Sequence, residues 1–159
     1  MIGPATTVVS FQNGVEKEDV LRKMLPEAHL MGGVCYIAAV IGAPGVIAHT
    51  GTMARMEFGE FDGRKSEKAE ALLAACRRAG VDAEIPADIR VAVWRKFIAL
   101  VGLSATTTAT RLPIGGVRAN PRARQLLIDV VREAAAVGRA AGVAIGDDLV
   151  ESRLAQLDT

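Results

Sequence analysis

The hydrophobic pattern of this 159-residue chain changes at Asp88, and this change constrains the fold more than any other feature. Before Asp88, short β-branched runs alternate with helical stripes and turn signals, which is typical of α/β proteins. Beyond Asp88, every apolar run has the spacing of a helix. The sequence therefore predicts an α/β part over residues 1–87 and an all-α part over residues 88–159.

The α/β part is predicted from turn and cap signals. Asn13-Gly14 closes a first strand, and a turn over residues 42–45 joins two later strands. Pro26 ends a first helix, whose apolar face holds Val20, Leu21, Met24 and Leu25. Ser66 caps a second helix, and Gly80 stops it. Strands are expected at residues 7–11, on both sides of the 42–45 turn, in RMEFGEFDG, and in VDAEIPA.

The all-α part begins with a good N-cap at Asp88. The segment from Ile89 to about Ala105 is nearly apolar all round, which predicts a buried central helix. Asn120-Pro121 is an N-cap followed by proline at the first helical position, and Gly142 ends that helix. A last helix starts at Asp147 or Asp148.

Composition excludes several functions. The net charge is +1 and aromatic residues make up only 4%, which argues against binding to nucleic acid or to an acidic membrane surface. The two cysteines, Cys35 and Cys76, form no metal-binding motif, and Cys76 is expected to be a buried thiol. The run over residues 97–110 is too short for a membrane span, which needs about 20 apolar residues. No export signal is apparent, so the expected compartment is the cytoplasm.

Lys96 stands in AVWRKFIALVGL, at the start of an apolar run that contains no further charge until Arg111. It is either a lysine whose stem covers apolar surface while its head reaches water, or an acid in a partly dry pocket. In the second case desolvation lowers the lysine pKa, and the ammonium group can donate a proton near neutral pH. Helical spacing places Leu100 and Ser104 on the same face as Lys96.

Three further residues have both an ordinary and a functional interpretation. Ser104 either bonds the carbonyl four residues earlier or donates a hydrogen bond to a substrate. Asn13 is either part of a simple turn or a strand-end amide at a ligand crevice, where open α/β sheets bind ligands. His49 is more simply a turn or strand-edge histidine than a catalytic base, because no Asp or Glu lies near it in sequence.

Six segments, in order and spacing, resemble the ketopantoate reductase (2-dehydropantoate 2-reductase) family. The resemblance implies the latter part of a Rossmann-like domain followed by a helical C-terminal domain, and a chain truncated at both ends. No G-x-G-x-x-G fingerprint occurs in the 159 residues. The segments are VVSFQNGV, MGGVCYIAAVIGAPGVIAHTG, FGEFDG, VWRKFIAL, RLPIG and NPRARQLLIDVVREAAAVGRAAGV.

The resemblance also implies site residues. Lys96 matches the proton-donating lysine, Asn13 a cofactor-contacting asparagine, and Ala38 a backbone contact to NADPH. Three substrate-binding asparagines of the family are replaced by Leu100, Ser104 and Ile114, and only Ser104 can still hydrogen-bond a substrate.

The activity implied is NADPH-dependent reduction of a small 2-keto acid or related ketone, as in pantothenate biosynthesis, by a homo-oligomer such as a dimer. The alternative is a non-catalytic helical interaction module or an inactive fragment, since no fingerprint holds a cofactor within these residues.

Overall fold

The computed structural model describes residues 2–158. The chain forms two compact units, one reaching to Ala92 and the other beginning at Val93. The first combines a sheet with helices, and the second is helical. The predicted fold class, the latter part of a Rossmann-like domain followed by a helical domain, is confirmed.

The first unit is built on a four-stranded sheet with the order β1-β2-β3-β4. Strand β1 pairs in parallel with β2, β2 pairs antiparallel with β3, and β3 pairs in parallel with β4. A single 3-10 turn, Glu27–His29, precedes β2. The remaining elements are β1 (Val8–Val9), α1 (Lys17–Arg22), β2 (Leu30–Ala43), β3 (Val46–Gly59), α2 (Glu67–Arg78) and β4 (Asp82–Glu84).

The β2–β3 hairpin confirms the predicted turn, but the separate strand expected in RMEFGEFDG is wrong. That segment continues β3, which runs unbroken from Val46 to Gly59. The register shifts between Ile37 and Ala39, so that residues 50–53 lie opposite Ala38. Gly51 has a φ of 71°, which glycine adopts without strain. The sequence pattern suggested that the strand breaks here. The structure instead has a β-bulge, and the strand continues through it.

Two other elements differ from the prediction. Strand β1 covers only Val8–Val9 instead of residues 7–11, because it pairs only with Leu30 and Met31. Helix α1 ends at Arg22, before the predicted stop at Pro26. Val20 and Met24, which were expected on a buried face, are 51% and 67% exposed.

The core of the first unit lies between the sheet and α2. Its buried members are Met31, Phe58, Ala69, Leu73 and Cys76, which confirms the expected buried thiol. The Ser66 hydroxyl accepts a hydrogen bond from the Ala69 amide at 3.2 Å, so the predicted cap of α2 is also confirmed.

The helical part consists of α3 (Ile89–Thr110), α4 (Ile114–Ala119), α5 (Pro121–Ala140) and α6 (Asp147–Leu157). The predicted caps are confirmed: Asp88 Oδ1 accepts from the Arg90 amide at 2.8 Å, and Asn120 Oδ1 accepts from the Ala123 amide at 3.1 Å. Helix α4 was not predicted, because Gly115-Gly116 has low helix propensity. None of the helices described over residues 2–158 is long and apolar enough to cross a membrane.

Helix α3 is longer and less buried than predicted. It continues past Ala105 to Thr110, where the hydroxyl of Thr110 bonds the carbonyl of Thr106 at 2.7 Å. Ile98 and Thr106 are fully buried, while Leu103 is 37% exposed. The helix therefore buries one face, and the prediction of a helix buried all round is wrong.

Helix α5 packs closely against α3 through two glycines. A Cβ at Gly138 would lie 2.7 Å from Cε3 of Trp94, and a Cβ at Gly102 would lie 2.5 Å from Cγ2 of Val131. Real Cβ atoms do not approach other atoms this closely, so the two glycines set the distance between the helices.

We expect Gly138→Ala to destabilise the protein. Overpacking against the rigid Trp94 ring costs about 1–3 kcal/mol, which exceeds the gain of up to ~1 kcal/mol from higher helix propensity. The matched control is Gly115→Ala in α4, where nothing lies within 4 Å of the added Cβ. Urea denaturation should show a loss for Gly138→Ala and a gain for Gly115→Ala. Equal gains would contradict the close packing.

The end of α6 is held by two arginines. Arg118 Nε donates to the Leu157 carbonyl at 2.7 Å, and Arg124 donates to both carboxylate oxygens of Asp158. The hydrogen bonds from Arg124 lower the pKa of Asp158. A carboxylate with a depressed pKa stabilises the fold above its unfolded pKa, and this contribution is lost as the pH falls through the folded value.

Candidate functional site

Asn13 lies in the bend between β1 and α1, at the carboxyl end of a strand that pairs in parallel with its neighbour. It is exposed, and Gly14 after it has a φ of 105°. Such strand ends are where α/β sheets bind ligands. Asn13 follows the last residue of β1, Val9, by four residues, and its role as an amide at a ligand crevice stays a prediction.

A cleft of about 480 Å³ lies directly beside this bend. One side is β1 and the residues that follow it, and the other side is α1. The lining is mostly apolar, with the Lys17 side chain as its charged member. It consists of residues 8–12, Lys17, Val20 and Leu21.

A buried ion pair anchors the bend after Asn13. Lys17 Nζ lies 2.8 Å from Glu18 Oε1 and donates a hydrogen bond to the Gly14 carbonyl at 3.3 Å. The two side chains are only 7% and 9% exposed. Glu18 Oε1 receives no well-aligned hydrogen bond among the described residues, so charge alone compensates this oxygen. Sequence reasoning missed this pair, because adjacent charges in a first helical turn usually face water.

Ala38 lies at the bulge of β2 and is exposed. Its carbonyl accepts a hydrogen bond from Thr50 Oγ1 at 3.3 Å. His49 closes the same bulge, since its Nε2 lies 3.0 Å from the Met53 carbonyl oxygen. This contact agrees with the expectation that His49 is a strand-edge residue.

Lys96 lies in the first half of α3 and is half-buried. Near it in the same helix, the rings of Trp94 and Phe97 make an edge-to-face contact with each other, with 5.5 Å between their centroids. Ser104, two turns further along, is exposed, and its hydroxyl makes no hydrogen bond among the described residues. In contrast, Thr107 Oγ1 bonds the Leu103 carbonyl at 2.8 Å. The Ser104 hydroxyl therefore does not bond the carbonyl four residues earlier, which is the more common arrangement for a serine in a helix.

The structure thus places Asn13 and Ala38 in the α/β unit, and Lys96 and Ser104 on one helix of the helical unit. The described residues contain no group of three or more His, Cys, Asp or Glu side chains that could hold a metal ion.

Comparison with known proteins gave consistent matches along the chain. The model described as "Ketopantoate reductase PanE/ApbA" matches residues 1–63, and "Ketopantoate reductase PanE/ApbA C terminal" matches residues 88–159. A 2-dehydropantoate 2-reductase of Archaeoglobus fulgidus is 33% identical over 135 residues, which is 85% of this chain and 44% of that protein. An uncharacterized oxidoreductase of Bacillus subtilis is 26% identical over 138 residues, which is 87% of this chain and 46% of that protein.

A solved structure gives the same result. The crystal structure of 2-dehydropantoate 2-reductase from Porphyromonas gingivalis superposes with a TM-score of 0.92 at 26% identity. The alignment covers 99% of this chain and 54% of that one. The chain therefore spans about half the length of the relatives it matches.

Proposed function

The chain belongs to the ketopantoate reductase family, and from this premise we propose that it forms part of an oxidoreductase that reduces the ketone of a small 2-keto acid. NADPH is the proposed reductant. The observation that carries the proposal is Lys96, a half-buried lysine in a largely apolar helix. A partly desolvated ammonium group is suited to donate a proton to a carbonyl oxygen.

In this proposal the α/β unit binds only the nicotinamide end of NADPH. The 480 Å³ cleft and the exposed amide of Asn13, at the carboxyl end of β1, suit the nicotinamide end. The proposed backbone contact to the cofactor is at Ala38, which is exposed at the bulge of β2. No segment of these 159 residues has the glycine fingerprint that binds a pyrophosphate.

The proposed roles follow from the chemistry of each residue. When bound, the reduced nicotinamide supplies the hydride. Lys96 polarises the substrate carbonyl and protonates its oxygen as negative charge develops there. Ser104 donates a hydrogen bond to the substrate through its free hydroxyl. Asn13 orients the cofactor by its side-chain amide.

The experiment that tests this proposal uses a hybrid protein. The 159 residues replace the corresponding half of the Archaeoglobus fulgidus relative, whose remaining half is retained to supply the rest of the fold. We expect this hybrid to oxidise NADPH when a 2-keto acid is added. A folded hybrid that binds NADPH and reduces no 2-keto acid would refute the proposed function.

The competing function, a non-catalytic interaction module built from the helices, has less support. Half of the large hydrophobic residues that are exposed among the described residues lie on the β2–β3 hairpin of the α/β unit. They are Ile37, Val40, Ile41, Val46, Ile47 and Met53, each 50–79% exposed.

We also propose that the chain self-associates through this hairpin, with a second copy as the partner. Residues 31–54 contain no Asp, Glu, Lys or Arg, so a charged partner has nothing to pair with, whereas a second copy presents the same neutral surface. Strand β1 pairs only with Leu30 and Met31, and β4 pairs only with residues 55–57. The outer half of the hairpin therefore has two open edges among the described residues, and open edges favour strand pairing between copies.

Sedimentation of the purified chain tests the self-association. Ile41 and Ile47 are cross-strand partners and are 79% and 68% exposed. We expect the wild-type chain to dimerise or associate further at micromolar concentrations, and Ile41→Lys with Ile47→Lys to make it monomeric. Val137→Lys on α5, where Val137 is 55% exposed, is the control. A monomeric wild-type chain would contradict the proposal.

A further inference from the structure

The cleft between β1 and α1 has a buried charge in its lining. Its volume of about 480 Å³ is in the range of pockets that hold small ligands. The Lys17 side chain lines this cleft and is only 7% exposed. Because a buried ammonium group needs acceptors, the partners of Lys17 indicate what a ligand in the cleft would have to supply.

The ammonium group of Lys17 has hydrogen-bonding capacity to spare. A lysine carries three N–H donors, and one of them bonds the Gly14 carbonyl at 3.3 Å. The Glu18 carboxylate lies 2.8 Å from Nζ, but its Oε1 receives no aligned hydrogen bond among the described residues. The charge of Lys17 is therefore compensated, while an N–H remains for an acceptor on a ligand.

The rest of the lining suits a flat ring that carries an amide. Val8 stands on one side of the cleft and Val20 and Leu21 on the other. Val20 is 51% exposed, so a ring placed against it gains from burial. Gln12 also lines the cleft, and its side chain makes no hydrogen bond within the described part of the chain. The Gln12 carbonyl can therefore accept a hydrogen bond from a ligand NH₂ group.

Charge decides which acceptor the cleft favours. Lys17 and Glu18 together are neutral. A ligand carboxylate would add a second negative charge beside the same ammonium group, where like charges repel, and it would lose water on entering. The oxygen of a carboxamide accepts the same hydrogen bond without adding charge. The ion pair thus favours a neutral carboxamide over a carboxylate.

We propose that Lys17 donates a hydrogen bond to the carboxamide oxygen of the nicotinamide ring, and that the cleft binds a neutral carboxamide in preference to a carboxylate. This inference rests on the proposed function and adds Lys17 to the residues that bind the cofactor. A hydrogen bond from a charged donor contributes roughly tenfold or more in affinity.

The test is an NMR titration of the 159-residue chain with labelled lysine side chains and valine methyls. The probes share one ring: nicotinamide, nicotinate, in which a carboxylate replaces the amide, and 3-methylpyridine, which has neither group. We expect nicotinamide to shift the signals of Lys17, Val8 and Val20. It should bind roughly tenfold or more tightly than either of the other two probes.

Two variants show whether Lys17 is responsible. Lys17→Met with Glu18→Leu removes both charges and keeps the cleft apolar, so it should bind nicotinamide no better than 3-methylpyridine. Lys23→Met is the control, because Lys23 is exposed at the end of α1, and it should bind all three probes like the wild type. The comparison of the three probes uses the wild-type chain alone, so it stands even if the double variant is unstable.

Three results would overturn the inference. If nicotinamide binds no more tightly than 3-methylpyridine, or binds the double variant as well as the wild type, Lys17 does not bind the carboxamide. If nicotinate binds as tightly as nicotinamide, the preference for a neutral group is wrong. If no probe shifts the signals of the cleft, the nicotinamide ring does not bind there. The proposed reduction is tested separately, by NADPH oxidation in the hybrid protein.

Discussion

Replacing Lys96 with alanine is expected to lower the turnover of the hybrid reductase by about 10²–10⁴, the usual contribution of a positioned general acid or base. The protein should still fold, because alanine favours helix and the lost packing of the lysine stem is modest. NADPH binding should be unchanged, since the proposed cofactor residues lie in the α/β unit. The measurements are kcat with a 2-keto acid and the NADPH dissociation constant.

The control for Lys96 is its neighbour. Arg95 is also half-buried, has the same charge, and points about 100° away around the helix. Arg95→Ala should therefore lower kcat much less. If Lys96→Ala keeps full turnover, or both variants lose turnover equally, Lys96 is not the proton donor.

Local signals predicted much of the fold. In the caps at Ser66, Asp88 and Asn120, one side-chain oxygen accepts a hydrogen bond from an amide two or three residues later. Such caps are local, so they can be predicted from the sequence alone. The hairpin turn is similar, because Gly45 supplies the positive φ of 76° that the turn needs. These features were confirmed where they were expected.

Features that depend on tertiary partners were less predictable. The length of β1 is set by the two residues of β2 that pair with it. The continuity of β3 depends on a bulge that His49 and Gly51 stabilise, and no periodicity indicates it. Burial along α3 follows its packing against α5, which an apolar run alone does not specify.

The candidate site also contains residues that the sequence indicates and residues that only the structure reveals. Lys96 stands out in sequence, because a charge in an apolar helix has few explanations. The free hydroxyl of Ser104 does not stand out, since most such serines bond their own helix. Lys17 and Glu18 look like an ordinary charged first turn, and only the packing around the bend after Asn13 shows that they are buried.

Glu18→Ala is expected to destabilise the protein by about 3–5 kcal/mol, because removing one member of a buried ion pair leaves the other charge uncompensated. Lys17 would keep its hydrogen bond to the Gly14 carbonyl but lose its counter-charge, so the bend that presents Asn13 should loosen as well. Asp19→Ala is the matched control: its carboxylate pairs with Arg22 at 2.6 Å but is 68% exposed, and such pairs contribute about 0–1 kcal/mol.

The double variant Lys17→Met with Glu18→Leu removes both charges and should recover most of the loss. Urea denaturation of the four proteins measures these differences, and the side-chain amide signal of Asn13 reports on the bend. If Glu18→Ala costs no more than Asp19→Ala, the pair is not an anchor, and the position of Asn13 depends on β1 and Gly14 alone.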